Sequence, residues 1–323
     1  MPAQLPVWHQ AAISTDQADP FCCAPSWQLA FHDAFSPKRR LLIESSSDGL
    51  IAFAEKVFSP DNVYMTPIEP HWFFGCPLLG EDSVELLSEA ITCFENFHAP
   101  SFPKIMISGV RPGGAFAQCL VRTFGSSFDF YVHLKGMQCS ASLLGGLDGY
   151  LSRRSANHRH KLQKAARRAL EKGVSFERVS PASPEEAATI YARMVNIELA
   201  SWKGIGRCGM AEPPARQFYD FMLHRLARSN DARVIFARYE DEDIGFIFGG
   251  MAGKFYRGQQ FSYADDWKKS SIGNLMQMEK IRWLCEEGAQ RYDMGPLVGP
   301  RMAYKAHWTE TAILHQTWTL MKK

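Results

Sequence analysis

The sequence predicts an α/β (α+β) protein of two similar halves, each a mixed central sheet flanked by helices. Three observations carry this reading. Short apolar strand segments are separated by polar turns, amphipathic stretches with helical spacing lie between them, and the same order occurs twice along the chain. At 323 residues the chain is long for one core and comfortable for two domains.

In the first half, residues 40–44 and 50–55 read as strands around the polar turn 45–49. Residues 83–98 read as a helix with Leu86, Leu87, Ala90, Ile91 and Phe94 on one side. Residues 104–110 form the next strand, ended by Arg111-Pro112-Gly113-Gly114, and residues 128–134 another. In the second half, strands are expected at 233–239, 244–249 and 254–263. A helix follows over 271–288, with Leu275, Met278, Ile281, Leu284 and Cys285 inward and Gly288 as its terminator. Strands at 291–294 and 312–321 complete the half.

Residues 150–173 separate the halves. They carry Arg153, Arg154, Arg159, Lys161, Lys164, Arg167, Arg168 and Lys172 against one acid, Glu171. Leu162, Ala165, Ala166, Ala169 and Leu170 recur at helical spacing and give a narrow packing face. The expected organisation is therefore a first domain over 1–149, a basic linker helix over 150–173, and a second domain over 174–323.

Composition excludes several classes. Hydrophobic content of 46%, charged content of 22% and a net charge of +2 are ordinary for a globular protein. Residues 1–10 lack the basic and apolar regions of a secretory signal, and no run approaches the ~18 apolar residues that span a bilayer. The eight cysteines form no C-x-x-C pair, and His158 and His160 diverge on a helix, so no metal is expected. Scattered thiols fit a reducing compartment, and a cytoplasmic location is expected. No G-x-S-x-G or other hydrolase nucleophile motif is present.

The last quarter carries the chemistry. Tyr263-Ala264-Asp265-Asp266 leads through Lys268, Lys269, Ser270, Ser271, Ile272, Gly273 and Asn274 into the long helix. A strand, a small-residue turn and a helix opening on unpaired N–H groups form a phosphate cradle, and the two lysines add positive charge. Serine is a favoured N-cap, and a glycine in the first turn lets phosphate approach the backbone. Lys305 lies between Tyr304 and Trp308, where a lysine holds an anion or stabilises a developing oxyanion. Asp293, at a strand end, can deprotonate an incoming amine; Asp265 and Asp266 are alternatives for that base. Trp202-Lys203 lies in a glycine-containing stretch that reads as a loop over a cleft. The plain alternatives are a capped helix start, a surface lysine, a structural aspartate and a loop-anchoring tryptophan.

Together these motifs resemble the CelD/BcsL-type acetyltransferases of the GNAT superfamily, which have a tandem arrangement like that of FemAB proteins. The resemblance lies in the arginine-rich segment from Tyr150, in Ala200-Ser201-Trp202-Lys203-Gly204, in Tyr263 followed by Ser271 and Gly273, in Tyr292-Asp293, and in Tyr304-Lys305 with Trp308. Ile272 stands where the family pattern has proline, and the glycine-rich loop is reduced to Gly273. The resemblance implies two GNAT-like domains, the first degenerate, and an N-acyltransferase that moves an acyl group from acetyl-CoA, a longer acyl-CoA or an acyl carrier protein to an amine or sugar acceptor. It implies donor binding by Lys269, Ser270, Ser271, Ile272, Gly273 and Asn274. Catalysis would fall to Asp293, Lys305 and Tyr263, the last protonating the leaving thiolate. Substrate contacts would come from Trp202, Lys203, Asp266, Tyr304 and Trp308. The alternatives are a FemAB-like transferase using charged tRNA at the basic helix 153–172, and a non-catalytic GNAT-like scaffold.

Overall fold

The computed structural model describes residues 4–16, 18–97, 102–297 and 300–323. His98, at the end of the expected helix 83–98, and residues 1–3 lie outside the described residues. The chain packs as two compact units. Unit 1 comprises Met1–Gln138, Pro296–Val298 and Ala312–Lys323; unit 2 comprises Cys139–Gly295 and Gly299–Thr311.

Unit 1 begins with three helices, α1 (Leu5–Ser14), α2 (Pro20–Cys23) and α3 (Pro25–Phe35). Each has proline in its first turn, where the missing N–H costs nothing. There follow β1 (Leu41–Ser45), β2 (Gly49–Ser59), β3 (Asn62–Pro67), β4 (Leu78–Gly80), α4 (Ser83–Phe97), β5 (Lys104–Val110), α5 (Ala115–Phe124) and β6 (Phe128–Ser142). Strands β1, β2 and β3 are antiparallel neighbours, and β3 pairs β5 in parallel across the crossover through α4. The core joins Leu50, Phe53 and Ile68 to Leu87, Ile105 and Leu120.

Unit 2 contains α6 (Gly146–Ser152), α7 (Ala156–Glu171), β7 (Val174–Val179), α8 (Pro184–Leu199), α9 (Trp202–Ile205), α10 (Ala215–Arg228), β8 (Ala232–Tyr239), β9 (Glu242–Ala252), β10 (Phe255–Tyr263), α11 (Ile272–Glu286) and β11 (Arg291–Pro296). Strands β7, β8, β9 and β10 are antiparallel neighbours, and β10 pairs β11 in parallel across the crossover through α11. Each unit therefore has the same grammar: antiparallel strands, a crossover helix, and a parallel strand beside the last of them. This is a mixed α/β fold of two tandem GNAT-like units.

Packing groups the chain differently from the expected boundaries in two respects. The basic segment lies inside unit 2. The last strand, β12 (Thr311–Lys322), belongs to unit 1 from Ala312 onward. It pairs β5 through Trp318, Thr319 and Leu320, and Leu320 is fully buried in that core.

The expected basic helix is two helices. Helix α6 stops at Ser152, and Ser155 caps α7 by accepting the His158 N–H. The break turns Arg153 and Arg154 toward Glu310, with which both form ion pairs. Arg154 also stacks over Tyr150, whose hydroxyl donates to the Trp308 carbonyl at 3.0 Å. On α7, Leu162 and Ala169 pack inward, but Ala166 and Leu170 face solvent, which narrows the expected apolar face. Helix α11 ends as expected, with Gly288 at φ +75°. Its buried surface is wider than one stripe and includes Met276, Lys280 and Trp283. Among the described residues no helix is long and apolar enough to cross a membrane.

The Glu310 pairs tie the 308–310 segment to the start of α7. Removing the acid leaves Arg154, almost fully buried, without that counter-charge. Glu310→Ala is expected to lower unfolding free energy by about 2 kcal/mol, below the 3–5 kcal/mol for a fully buried pair because Glu310 keeps some water contact. Urea denaturation monitored by tryptophan fluorescence measures it.

Candidate functional site

The start of α11 and the face of α7 enclose a groove of about 830 Å³ within unit 2. One wall is basic: Lys161, Lys164, Arg168 and Lys172 project from successive turns of α7, against Glu171 alone. The opposite wall is the turn Lys269-Ser270-Ser271 with Ile272 and Asn274. Tyr304, His307 and Trp308 line the groove as well.

The helix start is built for an anion. The first N–H groups of α11 have no acceptor within their own helix. Ser271 precedes them in the left-handed region at φ 58°, and a left-handed residue followed by helical ones turns successive amides toward one point. Ser271 is thus the N-cap residue, but its side chain makes no capping bond, contrary to the expected serine cap. Lys268 is tied to Asp265 at 2.7 Å, and this contact raises its pKa. Lys269 is the lysine of the pair that lines the groove.

Gly273 has a reason of its own. A Cβ there would lie 3.1 Å from Tyr263 Cε1 and 3.2 Å from Phe261 Cε2. The glycine therefore lets the first turn of α11 press against the aromatic end of β10. Tyr263 is occupied in that packing, with its ring near-parallel to Phe261 at 6.5 Å.

Next to the groove lies a small hollow of about 60 Å³, and Tyr304 lines both. Its other walls include Lys305, Gln259, Gln260, Gln277 and Tyr292. Burial and the nearby Arg257 charge push the Lys305 ammonium down to about 8, with Cys139 opposing the shift. Loss of hydration pushes the Tyr304 phenol up to about 12. The Gln259 side-chain nitrogen is shut off from solvent and makes no hydrogen bond among the described residues. It lies at the irregularity in β10 between Gly258 and Gln260, where the register to β9 shifts. A hollow faced by an amide donor and an ammonium suits a carbonyl oxygen that gains negative charge.

Trp202 and Lys203 open the short helix α9, capped by Ser201, rather than lying in a loop. Lys203 Nζ donates to Gln260 Oε1 at 2.9 Å and to the Phe261 carbonyl at 2.8 Å. Burial lowers its pKa, while Glu198 at 3.9 Å opposes the shift. Glu198 is fully buried and also accepts from Ser262 and from the Met210 N–H. Gln260 in turn donates to Tyr219 at 2.6 Å. Lys203 thus reaches the hollow through Gln260, as a positioning residue. Glu198 escaped the sequence reading because it sits in an otherwise apolar helix face; Gly209, whose Cβ would collide with the Glu198 carboxylate, was its one trace.

The three aspartates fall elsewhere. Asp293 is buried on β11, with its carboxylate 2.9 Å from Arg291 Nη2, and is a register partner of Arg257 on β10. The ion pair accounts for Asp293 as a structural group, the plainer of its two expected roles. Asp265 and Asp266 lie in the 3-10 turn Asp265–Trp267, and Asp266 is exposed. The sequence placed His158 on a helix but not its pairing with His307: the two rings stack at 6.2 Å at the groove lining, and His158 meets Trp308 edge-on at 5.0 Å. Burial, then His307, lowers the His158 pKa.

Residues 156–306 match the family model of an acetyltransferase (GNAT) domain. No curated protein matches the sequence. Among solved structures, FemX is similar at a TM-score of 0.69 and 12% identity, over 97% of this chain and 95% of that one. A conserved protein of unknown function from Bacteroides thetaiotaomicron gives a TM-score of 0.66 at 10% identity, covering 100% and 98%. The C-terminal domain of a putative lysylphosphatidylglycerol synthetase from Agrobacterium fabrum gives 0.60 at 11%, covering 99% and 92%. At these identities the likeness is one of fold, and it extends over both units.

Glu198 is held by Ser262, the Met210 N–H and the nearby Lys203 ammonium. Glu198→Ala is expected to cost about 3–5 kcal/mol by leaving the buried Lys203 charge without its counter-ion, and Glu198→Gln clearly less. Chemical denaturation of the two variants side by side checks the difference.

Proposed function

We propose that this chain is a GNAT-type N-acyltransferase, similar to the CelD/BcsL kind, working in the cytoplasm with acetyl-CoA or a longer acyl-CoA as donor and an amine as acceptor. The observation that carries the reading is the continuity of the site. A basic groove at a helix start shares Tyr304 with a hollow containing Lys305 and the Gln259 amide. A donor with phosphates at one end and a thioester at the other fits that sequence of environments. The GNAT family match over the same residues supports it.

In this reading the donor phosphates meet the α11 amides, Lys269 and the α7 cations. The thioester carbonyl enters the hollow. The amine lone pair attacks the carbonyl carbon, and the oxygen gains negative charge beside Lys305 and Gln259. As the C–S bond breaks, the C–N bond remains and the thiolate leaves. The amine proton passes to water or a base. Tyr304 is better placed than Tyr263 to face the leaving sulfur. A phenol near pKa 12 stays protonated against a thiol near ~8.5, so Tyr304 donates a hydrogen bond rather than its proton. Lys203 holds Gln260 against the hollow.

The length of the basic wall favours one second reading. Four cations spread along α7 exceed what a pyrophosphate needs, and a FemAB-like transfer from charged tRNA uses such a wall.

Two measurements test the proposal. Calorimetric titration is expected to show saturable acetyl-CoA binding, weakened about ten- to hundredfold by Lys269→Glu with Arg168→Glu. Absence of binding by any CoA species, with charged-tRNA binding lost in Arg167→Glu/Arg168→Glu, would instead establish the second reading. For catalysis, an ammonium is useful only while protonated. The rate is therefore expected to fall as pH rises through about 8, and Lys305→Ala to lose about 10²–10³ in kcat. A rate that rises through the same pH would make Lys305 a base instead.

A further inference from the structure

Unit 1 contains a cavity that the donor reading leaves unused. It measures about 350 Å³ and is bounded by α3, the turn after it, β2, β3 and the segment after β3. That size is at the small end of ligand pockets.

Its walls are aromatic. Phe31 and Phe35 stack with centroids 4.5 Å apart and planes 5° from parallel. His71 stands edge-on to both, at 4.8 and 5.3 Å. On the other side Phe58 and Tyr64 meet edge to face at 5.6 Å, and Phe58 is 60% exposed. Phe58 thus offers an accessible aromatic surface at the edge of the cavity.

The cavity is also electropositive. Arg39 and Lys56 both line it, and no aspartate or glutamate does. Neither cation has an acid partner among the described residues; Lys56 lies 4.3 Å over the Phe58 ring. Ser36 begins the turn that aims Arg39, with its carbonyl accepting the Arg39 N–H at 3.0 Å. The Ser36 hydroxyl is buried against the cavity and has no hydrogen-bond partner among the described residues. Burial lowers the His71 pKa, and Arg39 and Lys56 lower it further, which shows how positive the enclosure is.

We propose that this cavity is a binding site for a small ring-bearing anion, a phosphate or carboxylate carried on a planar ring. Arg39, Lys56 and the Ser36 hydroxyl hold the anionic group. The Phe31, Phe35, Phe58 and Tyr64 rings enclose the planar part. Both features are needed: cations alone suit any phosphate, and aromatic walls alone suit an uncharged ring. The site is separate in its residues from the donor groove and stands whether or not the donor is a CoA ester.

The test is titration of the full chain with phenyl phosphate, uridine monophosphate and phenylacetate, with inorganic phosphate and benzyl alcohol as the halves of the ligand. At least one ring-bearing anion is expected to saturate, about tenfold or more tighter than either half. The three ligands distinguish an aryl phosphate, a nucleotide and an aryl carboxylate as the source. Arg39→Gln and Lys56→Gln are each expected to weaken binding about tenfold, and Ser36→Ala several-fold, with unchanged thermal midpoints. Binding is expected to persist with saturating acetyl-CoA and in the Lys269→Glu/Arg168→Glu variant, whereas acetyl-CoA binding is expected to survive Arg39→Gln. Equal affinity for inorganic phosphate, no saturation by any ring-bearing anion, or displacement by acetyl-CoA together with loss in the groove variant would overturn the proposal.

Discussion

The first turn of α11 carries amide groups that its own helix cannot satisfy, and much of unit 2 is arranged around that fact. Ser271 adopts a left-handed backbone that turns the chain into the helix without spending its hydroxyl on a cap. Gly273 lets the turn sit against Tyr263 and Phe261, which fixes where the amides point. The α7 helix, capped at Ser155 and anchored through Arg154 and Glu310, brings its cations to the same groove. A helix start with satisfied donors would give those cations nothing to reinforce. Here dipole and side-chain charge have the same sign and act on the same space.

Unit 1 shows the alternative solution to the same topology. Its crossover from β3 toward α4 is occupied by the chain's own carboxylates. Glu69, fully buried, accepts the His71 and Trp72 N–H groups at 2.5 and 2.7 Å and the Trp27 indole at 3.1 Å. Asp82, just before α4, accepts from Ser46 at 2.7 Å. The His71 and Trp72 N–H groups are spent on an internal anion, and the α4 start is acidic, with Asp82 before it and Glu85 in its first turn. The same fold thus yields one unit with an open cationic helix start and one with a self-satisfied crossover.

Much of this was legible in the sequence where one element decides the outcome. Period-2 strands and the α11 stripe need only local pattern, and Gly288 announces its own turn. The turn into α11 was legible because Lys269, Ser270, Ser271 and Gly273 are close together in the chain. What escaped needs distant segments to meet. Glu198, Gln260 and Lys203 come from α8, β10 and α9, and His158 meets His307 across 149 positions of sequence. The partner of Arg153 and Arg154 across the break between α6 and α7, Glu310, is equally distant in sequence. The N-terminal helices are short and open on Pro20 and Pro25, which serve as first-turn residues and leave little helical period to read.

Buried lysines in unit 2 show why a perturbed charge does not by itself mark a catalyst. Lys280 is fully buried, its pKa is driven well down by desolvation and Arg233, and it donates to the Arg233 carbonyl at 2.9 Å between the rings of Tyr256 and Trp283. It lines neither the groove nor the hollow described above, and its perturbation accompanies packing. Lys203 is also pushed down, yet its donors are consumed by Gln260 and Phe261, which makes it a brace. Lys305 is pushed down by burial as well, but it lines a hollow beside a second donor. Desolvation makes each of these ammonium groups costly. In the proposed reaction a bound ligand's developing negative charge would offset that cost at Lys305, most when the oxygen carries most charge. Such an interaction strengthens toward the transition state, which is the condition for accelerating a reaction rather than merely holding a substrate.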